Sequence, residues 1–251
     1  MKYFFSREGE CALDDILARR PLFAFDFDGT LAPIMVQRDA VHTTTAIAQG
    51  IDLLAEIYPV VIITGRSIAD VSERLGFKPR CIIGNHGAEG LVNRNENEYL
   101  RQVAEWQSLI EASYGEALRN AGVMLENKHH SLSLHYRLAH DESAAQELIA
   151  QVTALATPTA RVFGGKCVVN IVPADAPDKA EALFSVVRSE NTDSAFFVGD
   201  DQNDESIFQR CPAHWLTVRV GRHHESLARY YLDDQSEMIR LVELILARLK
   251  K

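Results

Sequence analysis

The regular pattern of the chain begins at Leu22-Phe-Ala-Phe-Asp26, an unbroken apolar run of strand length that ends on a carboxylate and reads as a buried strand. From Thr43 to Ile57 the apolar positions Ile47, Ile51, Leu54 and Ile57 recur with helical period. Pro59-Val-Val-Ile-Ile63 is a second buried strand. Ser67 is placed to cap a helix running to Leu75, with Gly76 ending it, and Arg80-Cys-Ile-Ile-Gly84 is a third short strand. Strand, helix, strand, helix, strand is the rhythm of an α/β domain with a parallel sheet.

From about Arg94 the texture changes. A helix is predicted from Arg101 to Ala121, then strands over Val123–Glu126 and Ser131–Tyr136, the second placing Leu132, Leu134 and Tyr136 on one face. A helix over Glu142–Leu155 follows, and strands over Arg161–Phe163 and Cys167–Val172 flank Gly164-Gly165. The α/β rhythm then resumes with a helix over Lys179–Val187, a strand over Ala195–Val198 and a final helix over Ser236–Arg248. The pattern therefore predicts a core of residues 1–93 and 173–251, with an α+β unit, 94–172, inserted as a cap.

Composition changes this picture little. Of 251 residues, 47% are hydrophobic and 24% charged, ordinary values for a globular protein able to bury a core. The formal net charge of −9 leaves no basic surplus to neutralise nucleic-acid phosphates, so no nucleic-acid partner is expected. No apolar run approaches the ~20 residues of a membrane helix, and Met1–Glu10 carries Arg7, Glu8 and Glu10 in place of a signal peptide's apolar stretch. Cys11, Cys81, Cys167 and Cys211 form no CxxC pair and read as free thiols, which fits a cytoplasmic protein.

Candidate chemistry starts at the end of the first strand. In an open α/β sheet, ligands bind beyond the carboxyl ends of the strands, and Asp26-Phe-Asp-Gly-Thr-Leu31 stands there. Two carboxylates two residues apart, with a glycine that lets the backbone turn, can hold a hard cation and still do covalent work. A bare DxDG also occurs as a helix-capping turn; Thr30, Leu31 and the preceding apolar strand favour the chemical reading.

At these residues the chain resembles the haloacid dehalogenase superfamily of phosphotransferases. Their DxDGT motif is intact. It is followed in order by Thr64-Gly-Arg66 at a strand end, by Lys179 after the inserted unit, and by Gly199-Asp-Asp-Gln-Asn-Asp204 at another strand end. The resemblance implies a Rossmann-like core with a C2-type cap and a phosphoryl-transfer site. Asp26 is then the nucleophile that forms an aspartyl phosphate. Asp28 protonates the leaving oxygen and later takes a proton from water. Thr64 holds a phosphoryl oxygen, and Lys179 supplies positive charge. Mg2+ is implied as cofactor, on Asp26, the backbone carbonyl of Asp28 and Asp200. Asp201 and Asp204 complete that metal site by orienting its waters or Lys179, although both also fit as helix-start carboxylates.

The likeness narrows further. Gly84-Asn-His-Gly-Ala-Glu89, Glu126-Asn-Lys128 with His135-Tyr-Arg137, Gly165-Lys-Cys-Val-Val169, and Phe197-Val-Gly-Asp-Asp201 with Asp204-Glu205 are similar to trehalose-6-phosphate phosphatases over nearly the whole chain. That resemblance implies hydrolysis of trehalose 6-phosphate in trehalose biosynthesis. Gly65, Arg66, His86, Glu89, Glu126, Lys128, Lys166 and Asn170 become the expected substrate contacts. From spacing alone, Glu126, Lys128 and Lys166 also fit an ordinary solvated strand or turn.

The chain departs from the family pattern at Asn170 and Val172, where an acid and a base are usual, and at Ala180, where glycine is common. Competing readings are a phosphatase of sucrose phosphate, a hexose phosphate or glucosylglycerol phosphate, a sugar phosphomutase, and a non-catalytic binding module. Intact Asp26, Asp28, Thr64, Lys179 and Asp200 oppose the last. A monomer acting on a small sugar phosphate is expected, with the cap closing on hinges near Val92–Glu96 and Val172–Pro177.

Overall fold

The structure is a computed structural model that describes residues 1–35, 40–91, 95–157, 159–165 and 167–250. Lys166, expected to contact substrate, and Val92, Asn93 and Arg94 of the first expected hinge lie outside the described residues. In chain order the elements begin β1 (Lys2–Tyr3), α1 (Arg7–Leu17), β2 (Leu22–Phe25), α2 (Thr45–Ala55), β3 (Val60–Ile63), α3 (Ile68–Ser72) and β4 (Cys81–Ile83). Then come α4 (Glu96–Asn120), β5 (Met124–Asn127), β6 (Leu132–His135), α5 (Glu142–Ala154), β7 (Ala160–Gly165) and β8 (Val168–Pro173). The chain ends with α6 (Lys179–Ser189), β9 (Ala195–Gly199), α7 (Glu205–Arg210), β10 (Leu216–Val220), β11 (Tyr230–Leu232) and α8 (Met238–Leu249).

These elements divide into two compact units, one of Met1–Gly90 with Asp178–Lys251 and one of Leu91–Pro177. The sequence pattern set its borders at 93/94 and 172/173. Because β8 continues through Pro173, the second border falls later in the structure.

The first unit is built on a seven-stranded sheet in the order β1-β11-β10-β9-β2-β3-β4, with every pairing parallel. Strands β2, β3 and β9 are buried on both faces, which is why they read as continuous apolar runs and not as alternating ones. The chain moves outward from β2 through β3 to β4, then returns to build β9, β10 and β11 on the other side. The switch point lies between β2 and β9, where ligand crevices form in such sheets. The expected α/β class is what this unit has.

Sequence pattern missed β1, α1, α7, β10 and β11. Strand β10 was obscured by Thr217 and Arg219, polar residues in a fully buried strand. Both find partners inside the protein. Thr217 Oγ1 accepts from Arg229 N–H at 3.1 Å, and Arg219 Nη1 donates to Glu205 Oε1 at 2.8 Å. The helix expected over residues 43–57 is shorter: Thr44 is its N-cap, and Ile57 lies beyond it, 60% exposed.

The second unit carries an antiparallel four-stranded sheet, β5-β6-β8-β7. One face packs Leu132, Leu134 and Ile171 with Val103, Trp106 and Ile110 of α4 and Ala145, Ile149 and Val152 of α5. The opposite face has a row of register partners, Glu126, Ser133, Asn170 and Phe163. This is the α+β unit that the change in texture predicted. No helix among the described residues is long and apolar enough to cross a membrane.

Candidate active site

Three adjacent strands deliver the candidate residues at their carboxyl ends. Asp26 follows β2, its N–H donating to Val198 O of β9 at 2.9 Å. Thr64 follows β3, and Asp200 follows β9. Lys179 opens α6, whose first turn is fixed by a reciprocal capping box between Asp178 and Glu181.

The centre of the site is a buried ion cluster. Lys179 Nζ donates to Asp26 Oδ1 at 2.9 Å and to Asp204 Oδ1 at 2.7 Å. Asp26, Asp200 and Asp204 each offer a carboxylate oxygen within 4.8 Å of the others, and all three are buried. Burial pushes the Asp26 carboxyl well above its ordinary range; Lys179 opposes that shift, and the charges of Asp204 and Asp200 add to it. Lys179 behaves differently. Burial pulls its ammonium down, but the Asp204 and Asp26 carboxylates outweigh it and the net shift is upward. The asymmetry has a simple origin, since Asp26 meets like charges as well as its partner and Lys179 meets only opposite ones.

One ammonium, that of Lys179, is set among three carboxylates, those of Asp26, Asp200 and Asp204. Carboxylate oxygens gathered within 4.8 Å of one another are a donor set that suits a divalent cation. Its oxygen-only surroundings suit a hard ion such as magnesium and not zinc. The backbone fits as well. At Gly29, with φ of 82°, an added Cβ would lie 2.2 Å from Asp200 Oδ2, so this carboxylate sits directly against the turn that follows Asp28.

The acidic loop divides its labour. Asp204 Oδ2 accepts from the N–H groups of Asp200 and Asp201 at 2.9 and 3.0 Å, while its Oδ1 holds Lys179. Both oxygens of Asp204 are thus engaged within the protein, as a clamp on the loop and on the lysine. Asp201, expected to orient metal-bound waters or Lys179 or else to serve as a helix-start carboxylate, accepts from Gln202 N–H at 2.8 Å and from Asn203 Nδ2 at 3.1 Å. The carboxylate of Asp28 is likewise outside the cluster, because Arg66 takes both its oxygens at 2.7 Å.

Among the other expected substrate contacts, His86 is buried and its ring packs on the backbone of Gly65: a Cβ there would lie 2.3 Å from His86 Cε1. Asn85, His86 and Gly87 have φ of 49°, 59° and 115°, a run in the left-handed region. Bonds from Asn85 N–H to Arg66 O at 2.8 Å and from His86 N–H to Thr64 O at 3.0 Å hold it there. Glu89 braces the same loop, its Oε2 accepting from Ile68 N–H at 2.9 Å and Asn85 Nδ2 at 2.7 Å.

In the second unit, Glu126 Oε2 pairs with His135 Nε2 at 2.6 Å and lies 3.9 Å from Lys128 Nζ. Strand β5 stops at Asn127, so Lys128 lies just beyond the strand that carries Glu126, yet their side chains meet. Asn170 Oδ1 accepts from Ser133 Oγ at 2.8 Å.

Sequence reasoning missed the supports of the site. Asp70 binds both Arg66 and Arg74, each four residues away, a helical spacing that was open to view. Arg219 Nη1 reaches Asp201 O at 3.2 Å as well as Glu205, pinning the acidic loop to β10, and no local pattern signals that contact.

Comparison with known proteins was consistent over most of the chain. A family model described as trehalose-phosphatase matches residues 24–236. A trehalose-phosphate phosphatase of Mycobacterium bovis is 26% identical over 252 aligned residues, covering 95% of this chain and 64% of the relative. The chain thus spans less than two thirds of that curated relative's length. In fold, the C-terminal domain of a trehalose-6-phosphate phosphatase from C. albicans superposes with a TM-score of 0.79 at 21% identity, covering 94% of this chain and 96% of that one. The structure of a trehalose-6-phosphate phosphatase related protein gives 0.75 at 24% identity, covering 92% of this chain and all of that one.

Proposed function

The chain belongs to the trehalose-phosphatase family, and from that membership we propose that it hydrolyses trehalose 6-phosphate to trehalose and inorganic phosphate through a phosphorylated Asp26. The observation that carries this reading is the buried cluster in which Lys179 bridges Asp26 and Asp204 beside Asp200, at the switch point of the sheet. A purely structural pairing of Lys179 with Asp26 and Asp204 has no need of a third carboxylate, that of Asp200, gathered beside them. Taking that much charge out of water costs several kcal/mol per ion unless a ligand compensates it.

In the proposed reaction an oxygen of Asp26 attacks phosphorus, and the bond from phosphorus to the sugar oxygen breaks. Asp28 gives its proton to the departing oxygen. Water then attacks the same phosphorus, Asp28 recovers a proton from it, and the bond to Asp26 breaks to release phosphate. Thr64 and Lys179 stabilise the negative charge on the phosphoryl oxygens. Asp26, Asp200 and the main-chain carbonyl of Asp28 are the groups that would hold magnesium, with Asp204 fixing the loop and Lys179. The cation, when bound, offsets the repulsion between an anionic nucleophile and an anionic ester.

On the second unit, Glu126, Lys128 and Asn170 supply an acid, a base and an amide that suit a polyhydroxylated leaving group, and we assign them to sugar recognition. Gly65, His86 and Glu89 shape the loop pair that borders Thr64. The four cysteines are free, which supports a cytoplasmic setting. A panel of sugar phosphates, each assayed with magnesium and with chelator, tests the reading. Trehalose 6-phosphate should give the highest kcat/KM, with no turnover in chelator. A clear preference for sucrose phosphate or a hexose phosphate would move the substrate and leave the chemistry; turnover in chelator would remove the metal.

A further inference from the structure

Arg66 was expected to touch substrate, but its guanidinium is only 4% exposed and each of its three nitrogens donates to a carboxylate of the protein. Nε and Nη2 grip Asp28 at 2.7 Å each, a two-point contact on both carboxylate oxygens. Nη1 donates to Asp70 Oδ2 at 2.6 Å. Asp70 is itself gripped by Arg74 through Oδ1, at 2.9 and 2.6 Å. Arg74 in turn reaches Val41 O at 3.4 Å, and its carbonyl accepts from Thr43 N–H. From below, the Phe27 ring supports the guanidinium, with Cζ 5.4 Å from the ring centre. The main chain is tied too: Arg66 N–H donates to Thr64 Oγ1 at 3.1 Å.

This geometry has a consequence for Asp28. Its side chain is 36% exposed, so packing alone does not choose its rotamer. A fork anchored on its far side by Asp70 and stacked on Phe27 does choose it. We propose that Arg66 is a positioning residue that holds the proton-transferring carboxylate of Asp28 in one orientation, so that its contribution to rate grows with the need of the leaving oxygen for a proton. The proposal rests on the assignment of Asp28 as acid, and it separates Arg66 from the residues that bind phosphate or sugar. A planar fork is required for two-point contact, so lysine is a poor replacement.

The test compares two esters at saturating magnesium. From trehalose 6-phosphate the sugar departs as an alkoxide that must be protonated. From 4-nitrophenyl phosphate the aryl group departs as a stable phenolate. The quantity compared is kcat/KM, which reports only the steps up to departure of the leaving group. Asp28→Asn should lower kcat/KM for the sugar ester about 100-fold more than for the aryl ester, the usual size of general acid catalysis. Arg66→Met should show the same bias, at least about tenfold, and in the Asp28→Asn background it should add no further bias, because the two residues act as one unit.

Equal losses on both esters in a folded Arg66→Met protein would overturn the proposal. A sugar-specific loss that persists undiminished in the Asp28→Asn background would also overturn it, by making Arg66 a substrate contact. Absence of bias in Asp28→Asn itself would instead refute the assignment of Asp28 as acid. Should Arg66→Met fail to fold, Arg66→Lys keeps the charge and most of the volume, and the same bias is required of it.

Discussion

The carboxylate of Asp200 occupies the space that Gly29 leaves by having no side chain, with Oδ2 2.2 Å from where a Cβ would be built. Two distant segments, the turn after β2 and the loop after β9, are therefore fitted to each other at one atom. Gly29 also holds a φ of 82° that an L-residue adopts at a cost of about 1 kcal/mol or more. Gly29→Ala should push Asp200 away and weaken divalent-cation binding about 10–100-fold, in the range seen when the support of a metal ligand is lost. Titration calorimetry with magnesium reads this directly, and unaltered affinity would show that Asp200 does not ligate from this position.

Asp26 is crowded by burial and by the charges of Asp204 and Asp200, and these push its carboxyl above the ordinary 3.8. A raised acid binds its proton more tightly when folded than when unfolded. In chelator, stability should therefore fall as pH rises from about 4 through the raised value. Asp26→Asn keeps the shape and removes the charge. It should flatten that slope and raise the melting temperature of the metal-free protein at neutral pH by about 2–4 °C for each ~1 kcal/mol relieved. Its turnover should vanish, since an amide is a poor nucleophile. A melting temperature below wild type in chelator would mean that Asp26 pays its way through Lys179 alone.

His86 and Gly65 form a second tight fit, with a built Cβ 2.3 Å from His86 Cε1. Gly65→Ala should overpack this contact and cost about 1–3 kcal/mol of stability. Removing the ring as well, in Gly65→Ala with His86→Ala, should recover part of that loss, a coupling that denaturant melts of the four proteins measure. Strict additivity would mean that the loop shifts freely and the packing carries no energy.

Lys128→Ala tests the assignment of the second unit to sugar recognition. Losing one charged contact to a hydroxyl costs about 1–3 kcal/mol, so kcat/KM for trehalose 6-phosphate should fall about tenfold or more. Hydrolysis of 4-nitrophenyl phosphate should fall much less. Asn170→Glu restores the family's usual acid, and it retains an acceptor for Ser133 Oγ. It should preserve or improve use of trehalose 6-phosphate; loss of that use, with a different sugar phosphate preferred by wild type, would reassign the substrate.

Legibility in the sequence followed the range of the interactions. Strands β2, β3 and β9 could be read because burial on both faces writes a continuous apolar run, and the half-buried β4 because a short apolar stretch stands between Arg80 and Gly84. The order of the aspartate motifs along the chain led to Asp26, Lys179, Asp200 and Asp204, which the structure brings together. What escaped was the pairing of polar side chains across loops. Asp28 with Arg66 are 38 residues apart, and Arg219 with Glu205 are 14 apart on different elements. No periodicity records such contacts. Strand β10 was hidden for the same reason, since its buried arginine looks like a solvent residue until its partners are known. Asp201 was placed at the metal site by the resemblance, to orient waters or Lys179; its capping of the turn at Gln202 is the helix-start role that the sequence also allowed, and only the backbone geometry displays it.

The covalent step on Asp26, with trehalose 6-phosphate as the donor, is open to direct capture. The protein is mixed with trehalose 6-phosphate and magnesium, quenched in acid within the first turnover and treated with borohydride, which reduces an acyl phosphate but not a free carboxylate. Peptide mass spectrometry should then find homoserine at position 26 in a fraction of molecules, and none when the sugar phosphate is omitted. Release of trehalose in that same first turnover with no reduced residue at position 26, or with the reduction at position 28, would contradict the account.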